Sequence, residues 1–246
     1  SYGLSIIDKL DTLVGFFLIN EKPTSSKDPF ALRRSAIGLL RIIIENNLTV
    51  GLRDLIDYLI RFYTEQGVKD VNKNTHLELI NFFRDRMKNI LKEKRVRPDI
   101  IEASLSSHIN DNFLELYKKT LVMNKFISKD LGKNAVSTYK RAYNIIDREK
   151  NISKSGPDAV LFKQDEEKEL FDKINDIRKA FTYKERKESY ENHLKLLSDA
   201  KLSTDKFFDN VKVNDENNDI KNNRLELLQR LCSTFNTFID FSKLEG

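Results

Sequence analysis

Apolar residues recur at spacings of three, four and seven along nearly the whole chain, and strand-like alternation is nowhere sustained, so the pattern predicts an all-α protein. The sharpest element start lies in KPTSSKDPFALRRSAIGLLRIIIEN (22–46), where a polar loop turns into a long helix. Asp28 is placed to cap the first turn, and Pro29 behind it has no N–H to leave unsatisfied. Phe30, Ile37, Leu40 and Ile44 then define its expected apolar face. Residues 1–18 read as a helix interrupted in regularity by Gly15. A helix over 48–66 carries Leu52, Leu55, Leu59 and Phe62 and stops at Gly67. The stretch 75–94 places Leu77, Ile80, Phe83, Met87 and Ile90 on a buried side, and Pro98 opens a short helix to about residue 107. The polar segment SSHINDN (106–112) breaks the periodicity and predicts the boundary between a first helical domain, 1–107, and a second, 108–246.

Helical patterns in the second half cover 113–127 and 133–150, followed by NISKSGPD (151–158), the clearest linker composition in the chain. Further helices are expected over 166–182, with Leu170, Ile174, Ile177 and Phe181 inward, then 184–200, and 204–213 with Phe207, Phe208 and Val211. After NDENND (214–219) the last helix presents Leu225, Leu228, Leu231, Cys232, Phe235 and Phe238. No internal repeat is visible.

Composition sharpens this picture. Of 246 residues, 33% are charged and only 8 are Gly and 4 Pro, which favours helices joined by few turns. The single Cys232 allows no internal disulfide and fits a reducing compartment. No apolar run reaches the roughly 18 residues that would span a bilayer, and no signal peptide is apparent, so a cytoplasmic protein without a membrane partner is expected. The sequence begins without Met inside an apolar pattern (Leu4, Ile7, Leu10, Val14), which leads us to expect the C-terminal piece of a longer chain. The net charge of +5 is concentrated. Arg84, Arg86, Lys88, Lys92, Lys94, Arg95 and Arg97 face only Asp85 and Glu93, and the nine basic residues between Lys118 and Lys150 face Asp130, Asp147 and Glu149. Such excess suits a phosphate-bearing partner, although basic faces that merely solvate the protein look the same in sequence.

Catalytic signatures are missing: there is no glycine-rich phosphate loop, His76, His108 and His193 are scattered, and Cys232 sits among apolar residues. Asp8 and Asp11 lie three apart, but two carboxylates alone hold a divalent ion weakly, and structural or capping roles are expected. We expect no catalytic centre and no metal site here. A binding surface remains. Tyr139, Lys140, Arg141, Tyr143 and Asn144 mix cations, aromatics and an amide on one helix, suited to phosphates and unpaired bases. Alternatively Tyr139, Tyr143 and Ile146 are core and only the cations face solvent. Asn222, Asn223 and Arg224 open the last helix, where they could read a base edge or phosphate, or Asn223 could serve only as a cap. Arg34 and Arg41 share a separate face of the organising helix, with Lys27 and Arg33 near its positive end. Those charges need an external anion, or Asp28 and Glu45 as internal partners.

The segments DKLDTLVGFF (8–17), KPTSSKDPFALRRSAIGLLRIIIEN, FFRDRMKNIL (82–91), PDIIEASL (98–105), YKRAYNII (139–146), FFDNVKV (207–213), NNRLELL (222–228) and DFSKL (240–244) resemble, in order and spacing, the β subunit of bacterial glycyl-tRNA synthetase. YKRAYNII followed by the NNRLELL helix is similar to the all-helical DALR-type anticodon-binding domain, which that subunit shares with arginyl-tRNA synthetase; SSKDPFALRR points to the glycyl family instead. The resemblance implies the end of an HD-type region at the N-terminus, with Ile7 in place of the Ala before its Asp8-Lys9. It implies a part of glycine-tRNA ligase that binds tRNA(Gly) and positions it, while the α subunit, in a hetero-oligomer of two α and two β chains, uses ATP and Mg to glycylate it in protein synthesis. No cofactor is expected within these residues, and no DNA partner. The residues expected to contact tRNA are Lys140, Arg141, Asn144, Lys221, Asn223, Arg224, Arg34 and Arg41. Lys221 stands where the family usually has Arg, and Lys212 and Asn214 where it usually has Met. The alternative is a helical scaffold that joins subunits and touches RNA little.

Overall fold

The computed structural model describes every residue except 25, 69–71, 107–111, 150–151, 153–154, 185–188 and 246, and for 182–184 the backbone alone. Among the described residues there are eleven α-helices, two 3-10 turns and no strand, so the all-α expectation holds. The chain packs into two compact units, Ser1–Ile101 with His108–Thr120, and Glu102–Ser107 with Leu121–Gly246. The expected boundary segment lies almost wholly outside the described residues.

The first unit is built on α1 (Tyr2–Leu18), α2 (Leu32–Glu45), α3 (Leu52–Glu65) and α4 (Thr75–Glu93), with α5 (Pro98–Ser106) following. Phe16 stacks on Phe30 while Lys9 lies against Gly38, so α1 and α2 run antiparallel. Leu13, Val14, Leu39, Leu40, Ile56, Phe83 and Met87 meet at its centre, each fully buried. Asp28 does cap α2, accepting from the amides of Leu32 (2.8 Å) and Arg33 (3.1 Å). The helix nevertheless starts at Leu32 and not at Pro29, because Ala31 takes a left-handed conformation (φ 52°) between cap and helix. Phe30 therefore lies outside the helix and is 45% exposed; within it Leu32, Ala36, Leu39, Leu40 and Ile43 are buried, and Ile37 and Ile44 only partly. On α4 the expected face is correct except for Leu77, which is 62% exposed, and α3 buries only Leu52 and Ile56.

The second unit is organised around α7 (Asp130–Ile146) and α11 (Asn218–Phe235), with α8 (Asp165–Lys184), α9 (Tyr190–Ser198) and α10 (Lys201–Asn210) against them; α6 (Phe113–Phe126) leads in. Glu167, Asn175 and Arg178 of α8 meet Arg224, Arg230 and Thr234 of α11 in that order, so these two helices run parallel. Tyr139 is the centre of an aromatic cluster with Tyr143, Phe235 and Phe241, and Asn236 donates to its hydroxyl (3.3 Å). The 151–158 stretch does not behave as a free tether where it is described. Ser155 donates to the Glu226 carboxylate (3.2 Å), and the backbone of Asp158 is held from both sides by Asn223. Cys232 is 3% exposed, and burial pushes its thiol up to about 12. Iodoacetamide at neutral pH is therefore expected to leave it unmodified until the unit is unfolded; rapid labelling of native protein would contradict this burial.

Candidate nucleic-acid interface

Helix α7 packs one side against α9, α10 and α11 with Ala135, Val136, Thr138, Tyr139 and Ala142, and its opposite side is left to solvent. Lys133, Ser137, Lys140, Arg141 and Asn144 recur there at spacings of three and four, a stripe of three cations and an amide, and Arg148 follows in the turn just beyond the helix. Lys140 is half-buried, Asn144 and Arg148 are exposed, and none of the three has a side-chain partner among the described residues. Lys133 faces Asp130 at 3.4 Å in an exposed pair of the kind that contributes little.

Arg141 is more constrained. Its guanidinium lies 4.4 Å from the centre of the Phe208 ring and is shared between Asp205 (3.4 Å) and Asp209 (3.6 Å) of α10. It remains 45% exposed, so a phosphate can reach it only in competition with two carboxylates. Lys221 is likewise paired, with Glu149 at 3.0 Å. Of the two tyrosines, Tyr139 is core at 1% exposure and only Tyr143, stacked on it, reaches the surface. Burial raises the Tyr143 hydroxyl above its ordinary pKa, as does its hydrogen bond to Asp147.

Asn223 and Arg224 do not belong to an open surface. Asn223 is 4% exposed, and its amide is occupied on both sides by the backbone of Asp158 (2.7 and 3.0 Å). Arg224, 3% exposed, donates to Glu167 (2.9 and 3.4 Å), Asp215 (2.9 Å), the Lys212 carbonyl (2.8 Å) and Gln164 (3.4 Å). A base or phosphate would have to dismantle the fold to reach either. The cap of α11 is Asn217, whose side chain accepts from Asp219 and Ile220. Nothing in local sequence distinguishes an arginine on a helix opening outward from one swallowed by a neighbouring helix, and the acids that pair with Arg141 lie 64 and 68 positions further along the chain.

In the first unit Arg34 is exposed and faces no carboxylate among the described residues, whereas Arg41 pairs with Glu93 at 3.0 Å. Lys92, Lys94 and Arg95 are exposed at the end of α4, and Arg97 grips Asp99 with two bonds (3.0 and 2.7 Å). Asp11 accepts from the Tyr63 hydroxyl (2.9 Å), and His76 meets Asp57 at 2.6 Å. His193 is buried against Phe181 and Tyr190, and His108 lies outside the described residues. Among the described residues no three His, Cys, Asp or Glu converge as metal ligands, and no helix is long and apolar enough to cross a membrane.

Residues 1–106 match the sequence profile of the glycyl-tRNA synthetase beta subunit, and residues 135–242 that of the DALR anticodon binding domain. The glycine–tRNA ligase beta subunit of Rickettsia africae is 38% identical over 241 residues, covering 98% of this chain and 34% of that protein. That of Rhodospirillum centenum is 36% identical over 249 residues, covering 99% and 34%. The chain thus spans about a third of the length of the curated relatives it matches. Two profiles that occupy the two halves in family order, with relatives aligned almost from end to end of this sequence, place the chain in the glycyl-tRNA synthetase β subunit family, with a DALR anticodon-binding domain in its second half.

Proposed function

We propose that this chain is the tRNA-holding part of a cytoplasmic glycine-tRNA ligase, gripping the anticodon arm of tRNA(Gly) with the α7 stripe while an α subunit carries out ATP- and Mg-dependent glycyl transfer in a hetero-oligomer of two α and two β chains. The observation that carries this reading is the anticodon-binding profile over 135–242, on the unit where Lys140 and Asn144 of α7, and Arg148 in the turn after it, have no side-chain partner among the described residues. Its help to catalysis is positional: binding energy gained at one end of the RNA orients the other end for reaction. No step of the chemistry is assigned to these residues.

Binding of the full-length β chain to tRNA(Gly) and to an anticodon-swapped tRNA, at two salt concentrations, tests it. Tighter binding of tRNA(Gly) is expected, and equal or absent binding to both removes anticodon reading. Lys140→Ala with Arg148→Ala should lower affinity and reduce the salt slope by about 2, one for each lost phosphate contact. A second reading, a subunit-joining scaffold with little RNA contact, is favoured by the internal pairing of Arg41, Arg141 and Lys221. Co-purification with the α chain, undiminished by ribonuclease and by the α7 substitutions, would support it.

A further inference from the structure

At the edge of the α7 stripe lies a cluster without net charge. Arg141 of α7 and Lys201 of α10 are matched there by two carboxylates spaced four apart on α10, Asp205 and Asp209. Asp205 divides its oxygens: Oδ2 accepts from the Lys201 ammonium and Oδ1 from the Arg141 guanidinium at 3.4 Å. Asp209 meets the other terminal nitrogen of Arg141 at 3.6 Å, an ion pair without a hydrogen bond. Both distances exceed the roughly 2.7–2.9 Å of a well-formed charge-assisted bond, so the attraction is mainly Coulombic and the guanidinium fork is poorly used. The Phe208 ring lies 4.4 Å from that guanidinium and supports its plane whichever anion it serves.

The side chains of Arg141 and Asp209 are 45% and 68% exposed, so an anion from solvent can reach the fork. At long range such a cation is almost silent, because the adjacent acids cancel its field and it adds little to the potential that draws in a polyanion. At bonding distance the balance reverses: a phosphate that makes two bonds of normal length displaces two long carboxylate contacts of an exposed pair. The exchange also has a salt signature. A neutralised RNA phosphate releases a condensed counterion, but a carboxylate set free takes one up, so a contact made by exchange adds almost nothing to the salt slope. Lys140 and Arg148, with no carboxylate partner among the described residues, each contribute to that slope in full.

We propose that Arg141 is a switched phosphate contact, held closed by Asp205 and Asp209 and opened only by an RNA phosphate seated within bonding distance at the α7–α10 edge. Phe208 is its positioning residue. The inference rests on the function proposed above and adds to it that one cation of the RNA surface acts at short range only. RNA held loosely meets Lys140 and Arg148 alone, whereas RNA whose backbone runs along α7 to α10 gains Arg141 as well. A partner acid thus works against ill-fitting polyanions, since it must be displaced before the cation contributes.

The test uses the full-length β chain, with tRNA(Gly) and a short oligouridylate as a sequence-neutral polyanion, each titrated at several salt concentrations. Arg141→Ala is expected to weaken tRNA(Gly) binding about fivefold while leaving its salt slope unchanged. With Asp205→Asn and Asp209→Asn together, the slope rises by about 1 for both RNAs and the oligouridylate binds about fivefold tighter. Adding Arg141→Ala to that protein removes both gains. A gain that survives Arg141→Ala is a general charge effect and overturns the inference. An unchanged slope in the doubly neutralised protein overturns it too, as does a slope that Arg141→Ala alone lowers by about 1. If tRNA(Gly) binds no better than an anticodon-swapped tRNA, anticodon reading is lost and the slopes still decide the switch. If no form of the protein binds either RNA, the functional reading and the switch fall together. Unchanged melting temperatures exclude misfolding; should Asp205→Asn melt lower because Lys201 loses its partner, Asp209→Asn alone carries the test with a smaller gain.

Discussion

Arg224→Ala lowers the stability of the second unit by about 3–5 kcal/mol, because it breaks a buried ion pair and leaves its partner uncompensated. The size follows from what is left behind. Glu167 is fully buried and accepts four bonds, from the Lys163 and Gln164 amides (2.8 and 2.9 Å) and from two nitrogens of Arg224. Its bonds to the 163 and 164 amides close the first turn of α8, while Arg224 ties that turn to α11 and to the loop carrying Lys212 and Asp215. Removing the guanidinium leaves an uncompensated buried carboxylate and an unpaired carbonyl, so Arg224→Lys should rescue only in part. Urea denaturation of the wild type, Arg224→Ala, Glu167→Gln and the double variant measures it; additive effects would show that the two residues are not coupled. The network also has a pH signature. Asp215 is held below the usual carboxylate range, first by the Asn217 amide and then by Arg224, so its contribution is present above the ordinary carboxylate pKa of about 4 and is lost as pH falls through the depressed value.

Gly132→Ala is expected to destabilise strongly as well, at the upper end of the about 1–3 kcal/mol typical of overpacking. In an ordinary helix interior the same change would stabilise by about 1 kcal/mol. Here the first turn of α7 folds back on the end of α6, and a Cβ would overlap the Phe126 carbonyl oxygen and come within 2.6 Å of the Ile127 Cα, both backbone atoms that cannot swing away. Gly15→Ala is the control: its Cβ would meet the movable Tyr63 hydroxyl at 3.2 Å, and thermal melting should separate the two variants clearly. A Gly132→Ala protein as stable as the wild type would mean that the α6–α7 turn relaxes freely.

The Arg141, Asn223 and Arg224 placements matter for function as well as stability. Three of the cations and amides that look outward by spacing are wholly or partly answered inside the fold, which leaves Lys140, Asn144 and Arg148, with Tyr143 beside them, as the part of the proposed contact surface without internal partners among the described residues. The aromatic part of the stripe shrinks in the same way, since Tyr139 fills the gap between α7, Phe235 and Phe241.

By itself the sequence determined the helical class, the order and approximate limits of the helices, the cap at Asp28, the burial of Cys232 and the family, because each depends on periodicity or on residues close together in the chain. Only the tertiary structure decided which side of α2 is inward, that the 155–158 stretch docks on α11, and which cations have partners. The left-handed Ala31 takes Phe30 out of the helix, the inward side of α2 is set by the helices packed against it, and an arginine is paired with an acid 57 positions away for Arg224 and 64 for Arg141. Local spacing carries no information about such pairs; they exist only once the helices are packed.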